Sequence, residues 1–163
     1  MSVEASAILI YGAGGFAREV AFLAEDCGLN VVGFITDDEG TWGTSLNDIE
    51  VLSLPEAVRR FGRTPVTIAV GRPRLRELLA RKATEAGLQL LGELRHPSVV
   101  ASRFVDFGPG AVVCAGTILT TNIEIGAHAQ INLACTIGHD VLIGAGSSVR
   151  AAKRGTPAPG PPS

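Results

Sequence analysis

Aromatic rings are scarce in this chain. Phe, Trp and Tyr make up only 5% of its 163 residues, with one Trp, one Tyr and one Met, while 46% of residues are hydrophobic. The core must therefore be assembled from Ala, Val, Ile and Leu, which favours regular, repeated packing, and so apolar a composition excludes disorder over the whole length. No sign of charge dominates: 14 Lys and Arg stand against 16 Asp and Glu, a formal net charge of −2. That balance gives no electrostatic reason to expect nucleic acid or an anionic membrane as a partner. Three cysteines at 27, 114 and 135, odd in number and without CxxC spacing, argue against a disulfide framework and a zinc site. The longest uncharged stretch, Phe107 to Ile123, carries Gly108, Pro109, Gly110 and Gly116, which does not suit a membrane-spanning helix. Glu4 stands before the first apolar run where a signal peptide would have a basic region, so a soluble, cytoplasmic protein is expected.

Residues 1–95 alternate strand and helix signals. Ala7–Tyr11 is a short apolar run closed by Gly12, as in a buried parallel strand. Phe16–Cys27 places apolar residues at 16, 20, 23 and 24, on one helix face, and Gly28 stops it. Val31–Ile35 reads as a second strand and Pro55–Phe61 as a short helix. Val66–Val70 reads as a third strand ended by Gly71, Pro73–Ala86 as a helix with Pro in its first turn, and Leu88–Leu91 as a last strand. Such alternation predicts a Rossmann-like α/β domain with a parallel sheet.

Beyond residue 100 the period changes. Stepping by six from Ala101 meets Phe107, Val113, Leu119, Ile125, Ile131, Ile137, Ile143 and Val149, all apolar. The fifth position of each hexad is also restricted, running Val105, Ala111, Thr117, Ile123, Ala129, Cys135, Val141 and Ser147. Neither a helix nor an alternating strand requires a strict period of six. A prism of short parallel strands does, with one hexad per side and three per coil, so residues 96–150 are expected to form an incomplete parallel β-helix. Residues 151–163, rich in proline, are expected to be disordered and to leave the last coil without the cap that solenoids need, as in a chain cut short.

Gly12-x-Gly14-x-x-Ala17 follows a strand and opens a helix, with Ala13 and Gly15 completing the turn. Glycines there let the backbone approach an anion, and the helix N-terminus supplies free N–H groups. The same turn can also be a plain strand-to-helix connection. An NAD site with Asp37 or Asp38 on the ribose is disfavoured, because about 95 residues form little more than one mononucleotide half. Gly71 ends a strand at the same sheet edge. His139 sits at the third position of its hexad, between the stacked Ile137 and Ile143, so its side chain should point outward. An imidazole with its ordinary pKa of about 6.5 can accept a proton near neutrality. His128 is expected at the surface or an interface and His96 in a structural role. Cys135, at a fifth position, faces the interior as a small hydrophobe.

The segments Ile10–Glu19 and Gly33–Asp38, followed by hexads that include Ile131-Asn132-Leu133-Ala134-Cys135-Thr136-Ile137-Gly138-His139-Asp140, resemble the sugar acyltransferases of the left-handed β-helix class. These include sialic-acid O-acetyltransferases and bacterial N-acetyltransferases of nucleotide-linked amino sugars. The resemblance implies an acetyl-CoA-dependent transferase, without a metal, that assembles as a homotrimer with its active sites between neighbouring β-helices. It implies a nucleotide sugar, a UDP-sugar first, held by Gly12, Ala13, Gly14, Gly15, Asp37, Asp38 and Gly71. It makes His139 the general base and Asp140 the acidic neighbour that raises its basicity. Asn132 would lie near the reacting groups, or else form an amide ladder. Where many relatives place a second histidine against CoA, nine positions after the base, this chain has Ser148. Relatives also continue for further coils, which leaves open a second reading: a nucleotide-sugar-binding module that transfers nothing.

Overall fold

The computed structural model describes residues 6–151; residues 152–163, nearly all of the tail expected to be disordered, lie outside them, as do residues 1–5. The first half is built on β1 (Ala7–Tyr11), α1 (Gly15–Asp26), β2 (Asn30–Ile35), β3 (Ser45–Leu46), β4 (Ile49–Leu52), α2 (Leu54–Phe61), β5 (Val66–Ile68) and α3 (Pro73–Glu85). Its sheet has the order β3-β4-β2-β1-β5, parallel except for the β3–β4 hairpin. The central strands are apolar throughout because both faces are covered: Ile8 and Ile10 pack with α1, Leu9 and Tyr11 with α2 and α3. β1 and β5 converge so closely at their ends that a Cβ on Gly12 would strike the Ala69 carbonyl, and Gly12 has φ +137°. Only glycine fits there, which fixes the chain's exit from β1.

Two features depart from the sequence reading. The hairpin β3–β4 is absent from the alternating pattern of strand and helix signals. It turns on Asn47 and Asp48, both left-handed (φ 47° and 64°), the conformation that two-residue hairpin loops demand. The expected strand Leu88–Leu91 shrinks to one bridge, Val66 to Leu90. The next extended segment, β6 (Glu93–Arg95), leaves the α/β sheet and pairs with β9 (Ala111–Val113) as the lowest rung of the second half.

That half is a left-handed parallel β-helix with three faces. One face stacks β7 (Val100–Ala101), β10 (Ile118–Leu119) and β13 (Thr136–Ile137); the second stacks β8 (Val105–Phe107), β11 (Ile123–Ile125) and β14 (Val141–Ile143). The third stacks β6, β9, β12 (Gln130–Ile131) and β15 (Ser148–Val149). Partners are 18 residues apart, as in Val100–Ile118–Thr136, which is one coil of three hexads. First- and fifth-position side chains, among them Val113, Leu119, Ile125, Ile131 and Ile137, form the buried axis. The turns recur with the same period: Gly110, Gly116, Asn122, His128, Ala134, Asp140 and Gly146 all have φ between 53° and 74°. Among the described residues no helix is long and apolar enough to cross a membrane.

Candidate active site

The glycine turn opens onto two adjoining cavities at the carboxyl ends of β1 and β2. One, of about 180 Å³, is lined by Gly12, Ala13, Asp37, Asp38, Val70 and Leu75 among others. The other, of about 280 Å³, is lined by Ala13, Gly14, Thr36, Asp38, Thr41 and Leu46 among others. α1 begins at Gly15 with Gly14 as its N-cap and no acidic residue in its first turn, and among the described residues no side chain caps it, so its first amides can meet an anion. The two aspartates differ. Asp37 accepts from the Tyr11 hydroxyl (2.7 Å) and from Lys82 Nζ (2.5 Å). Burial pulls its carboxyl upward, but Lys82 and Tyr11 together outweigh that and hold it below the usual carboxylate range. Asp38 lines both cavities and accepts the Gly40 N–H on one oxygen (3.1 Å). Gly71 follows Val70 at the rim.

His139 lies on the turn between β13 and β14, outward as expected. Its Nδ1 is 2.6 Å from Asp140 Oδ2, and the two side chains are 76% and 67% exposed. An ionised carboxylate only accepts hydrogen bonds, so Nδ1 carries the proton and the free lone pair is on Nε2. His139, followed by the Asn122 amide, holds the Asp140 carboxyl below its ordinary range. Asn122 Nδ2 donates to Asp140 Oδ1 at 3.3 Å. Asn122 was not singled out from sequence; its signal was its place 18 residues before Asp140, at the same left-handed turn one coil earlier. Asn132 is half-buried and builds the coil through its backbone, donating to Val149 O and accepting from Thr117 Oγ1. Burial pushes the Cys114 thiol up to about 12 and raises Cys135 as well, which makes both poor nucleophiles.

A third cluster joins the halves. Arg76 projects from α3 against the β6-β9-β12-β15 face and is 1% exposed. Its Nε donates to Val70 O (3.1 Å), and its Nη1 to His128 O (2.9 Å) and Gly146 O (2.8 Å). Its Nη2 donates to Gln130 Oε1 (2.6 Å), Ser148 Oγ (2.8 Å) and, more distantly, Gly71 O (3.4 Å). Desolvation lowers the guanidinium to about 10, so it stays charged at neutrality. Ser148 thus sits at the seam between the halves. Most of the sequence-derived residues gather in two places, Gly12–Gly15, Asp37, Asp38 and Gly71 in the α/β half and His139 with Asp140 on the prism, while Ser148 lies at the seam and Asn132 in the coil beside β12. The α/β half covers one prism face, and His139 lies at the edge between the other two, so one chain does not bring them together.

Residues 7–83 match the PglD N-terminal domain family. GDP-perosamine N-acetyltransferase of Caulobacter crescentus, solved in complex with CoA and GDP-perosamine, superposes with a TM-score of 0.78 at 31% identity, over 91% of this chain and 70% of that one. The chain belongs to the hexapeptide-repeat nucleotide-sugar acetyltransferases. WeeI from Acinetobacter baumannii gives a TM-score of 0.78 at 32% identity, over 88% of this chain and 68% of that one. The acetyltransferase domain of PglB from Neisseria gonorrhoeae, solved with acetyl coenzyme A, gives 0.64 at 28% identity, over 88% of this chain and 70% of that one. A curated family member, GDP-perosamine N-acetyltransferase of Escherichia coli O157:H7, is 24% identical over 141 residues, and the match covers 83% of this chain and 63% of that protein. The family's α/β and β-helix architecture is thus the one read from the alternating elements and the hexads.

Proposed function

We propose that this chain transfers an acetyl group from acetyl-CoA to the amine of a nucleotide-linked amino sugar, with His139 Nε2 as general base. The observation that carries the reading is the His139–Asp140 pair on an open, exposed turn, which leaves Nε2 without a partner among the described residues. The glycine turn, the uncapped α1 N-terminus and Asp38 form the complementary half: backbone amides for a diphosphate and a carboxylate for hydroxyl or base N–H donors. Nε2 accepts a proton from the sugar amine as its nitrogen attacks the thioester carbonyl. The C–N bond forms, the C–S bond breaks, and the proton passes to the departing CoA thiolate. The backbone amides contact the diphosphate that is common to a UDP carrier, suggested by the sequence resemblance, and to the GDP carrier of the C. crescentus and E. coli relatives.

The reading includes a homotrimer in the cytoplasm. The β7-β10-β13 face leaves Val100 61% and Ile118 42% exposed, apolar surface that a neighbouring copy would cover. Assembly would also bring the cavity of one chain to the His139 edge of another. The test is incubation with acetyl-CoA and GDP-perosamine, or a UDP-linked 4-amino sugar, followed by mass spectrometry of the sugar. An acetylated product with stoichiometric free CoA is expected. Nucleotide-sugar binding without any transfer would refute the transferase reading and leave a binding module.

A further inference from the structure

The turn 70–72 is where the candidate nucleotide cavity meets the prism. Val70 lines the cavity, while the Val70 and Gly71 carbonyls face Arg76. Across a planar trans peptide the N–H points opposite to the C=O. Drawing these carbonyls to the guanidinium therefore turns the Gly71 and Arg72 amides away from the seam, and neither has a backbone acceptor among the described residues. The same guanidinium also grips Gln130 and Ser148, register partners on adjacent coils, and Gly146 beside them. Those rungs bracket the hexad that carries His139. α3 also contributes Leu75 and Leu79 to the cavity and Lys82 to Asp37.

We infer that Arg76 is a positioning residue that ties the nucleotide cavity to the coils flanking His139, so that occupancy of the cavity is felt across the seam. This rests on the reading of the cavity as a nucleotide site. All the acceptors of Arg76 named above are neutral, and among the described residues no carboxylate hydrogen-bonds to its buried charge. Sliding either half would strand N–H donors of a buried cation, which makes the seam stiff against displacement. The planar fork spans two coils and a turn at once; a lysine ammonium, a compact point donor, cannot.

The test is hydrogen exchange with mass spectrometry on the whole chain, with and without GDP or UDP. In the wild type, nucleotide should slow exchange in the α/β half and also, about fivefold or more, in peptides 126–132 and 144–150. In Arg76→Lys the slowing should be confined to the α/β half. Should Arg76→Lys fail to fold, the double variant Gln130→Ala/Ser148→Ala removes both prism side-chain acceptors of Arg76 Nη2 while leaving Nη1 on the His128 and Gly146 carbonyls, and a clearly reduced nucleotide-dependent slowing in the prism is expected. A purely structural Arg76 would speed exchange in both states yet preserve the nucleotide-dependent difference. Prism protection that persists in the variants, or is absent from a wild type whose α/β half is protected, overturns the inference. A wild type protected nowhere by either nucleotide overturns the nucleotide-site reading and the inference with it.

Discussion

His139→Ala should lower kcat for acetyl transfer by about 10²–10⁴-fold, the range for losing a positioned general base. KM for the nucleotide sugar should stay close to wild type, because the glycine-turn cavity belongs to the other half of the chain. The structure also sets what Asp140 can add. Its contact with Nδ1 is short, 2.6 Å, but both side chains are mostly exposed, 76% and 67%. As long as the neighbouring copy leaves the pair as open as it is in the single chain, solvent screens it and its worth is small. A buried aspartate that locks a catalytic histidine's tautomer is worth about 10⁴-fold; Asp140→Asn is expected to cost no more than about tenfold. Asn122→Ala, which removes only the longer 3.3 Å support to Asp140, should cost less still. The assay is initial-rate chromatography of CoA release against nucleotide-sugar concentration, with urea unfolding to show that each variant is folded. If Asp140→Asn matched the loss in His139→Ala, the exposed geometry would be the wrong description of the working site. If His139→Ala kept wild-type kcat, Nε2 would not be the base.

Ile131, fully buried and stacked between Val113 and Val149, should cost about 2–5 kcal/mol on truncation to Ala, read from urea midpoints; a loss below about 1 kcal/mol would contradict a packed prism axis. His128 gives a pH dependence. Burial first, then the Arg76 charge, lowers its pKa, with Glu77 pulling partly back. The unfolded chain therefore binds the proton first, near pH 6.5, and stability should be flat above that and fall as pH drops toward the lower folded value. His128→Asn, which tolerates the left-handed turn at φ 56°, should lessen that slope in unfolding midpoints between about pH 7.5 and 5.5; an unchanged slope would show that His128 does not set it. GDP or UDP should raise the melting temperature more than NAD does at equal concentration, and the reverse order would favour a dinucleotide site.

The sequence disclosed what is periodic and local. The prism was legible because inward positions must be apolar every six residues, and His139 was legible because its place in the hexad sets its direction. The left-handed turns repeat just as strictly, but His128 and Ala134 occupy two of them, which dilutes the Gly/Asn/Asp signature that would have exposed Asn122 as Asp140's partner. Leu88–Leu91 misled because the extended chain there crosses from one sheet to another, with a bridge to Val66 before β6 joins β9. Arg76 had no sequence signal. Arg72, Arg74 and Arg81 nearby are exposed, and the run reads as a solvated helix face, whereas the prism acceptors of Arg76 lie 52 to 72 residues away. Likewise nothing local marks Asp37 as held by Lys82, 45 residues on, while its neighbour Asp38 lines both cavities.

The placement of the two half-sites makes a stringent prediction about assembly. The α/β half occupies the face carrying Gln130 and Ser148, and His139 lies at the edge opposite that face. A cavity and a histidine can then cooperate only when supplied by different copies. Two inactive chains should consequently complement one another. His139→Ala keeps the cavity. Gly14→Glu keeps His139 but sets a carboxylate where the diphosphate is proposed to lie. The substitution should fold, because among the described residues nothing lies within 4 Å of a Cβ at Gly14. Each variant alone should show little transfer. After co-refolding in equal amounts, with random assortment into cyclic trimers, an intersubunit site needs an intact cavity from one copy and an intact histidine from the next. Each requirement is met half the time, so activity should return to roughly one quarter of wild type per site. A site completed within one chain would return nothing, since every chain in the mixture carries one lesion. Mixing already assembled variants without unfolding should restore far less than co-refolding, because subunits must exchange before sites can form. Absence of activity after co-refolding, with mixed trimers demonstrated by native mass spectrometry, would refute the intersubunit site.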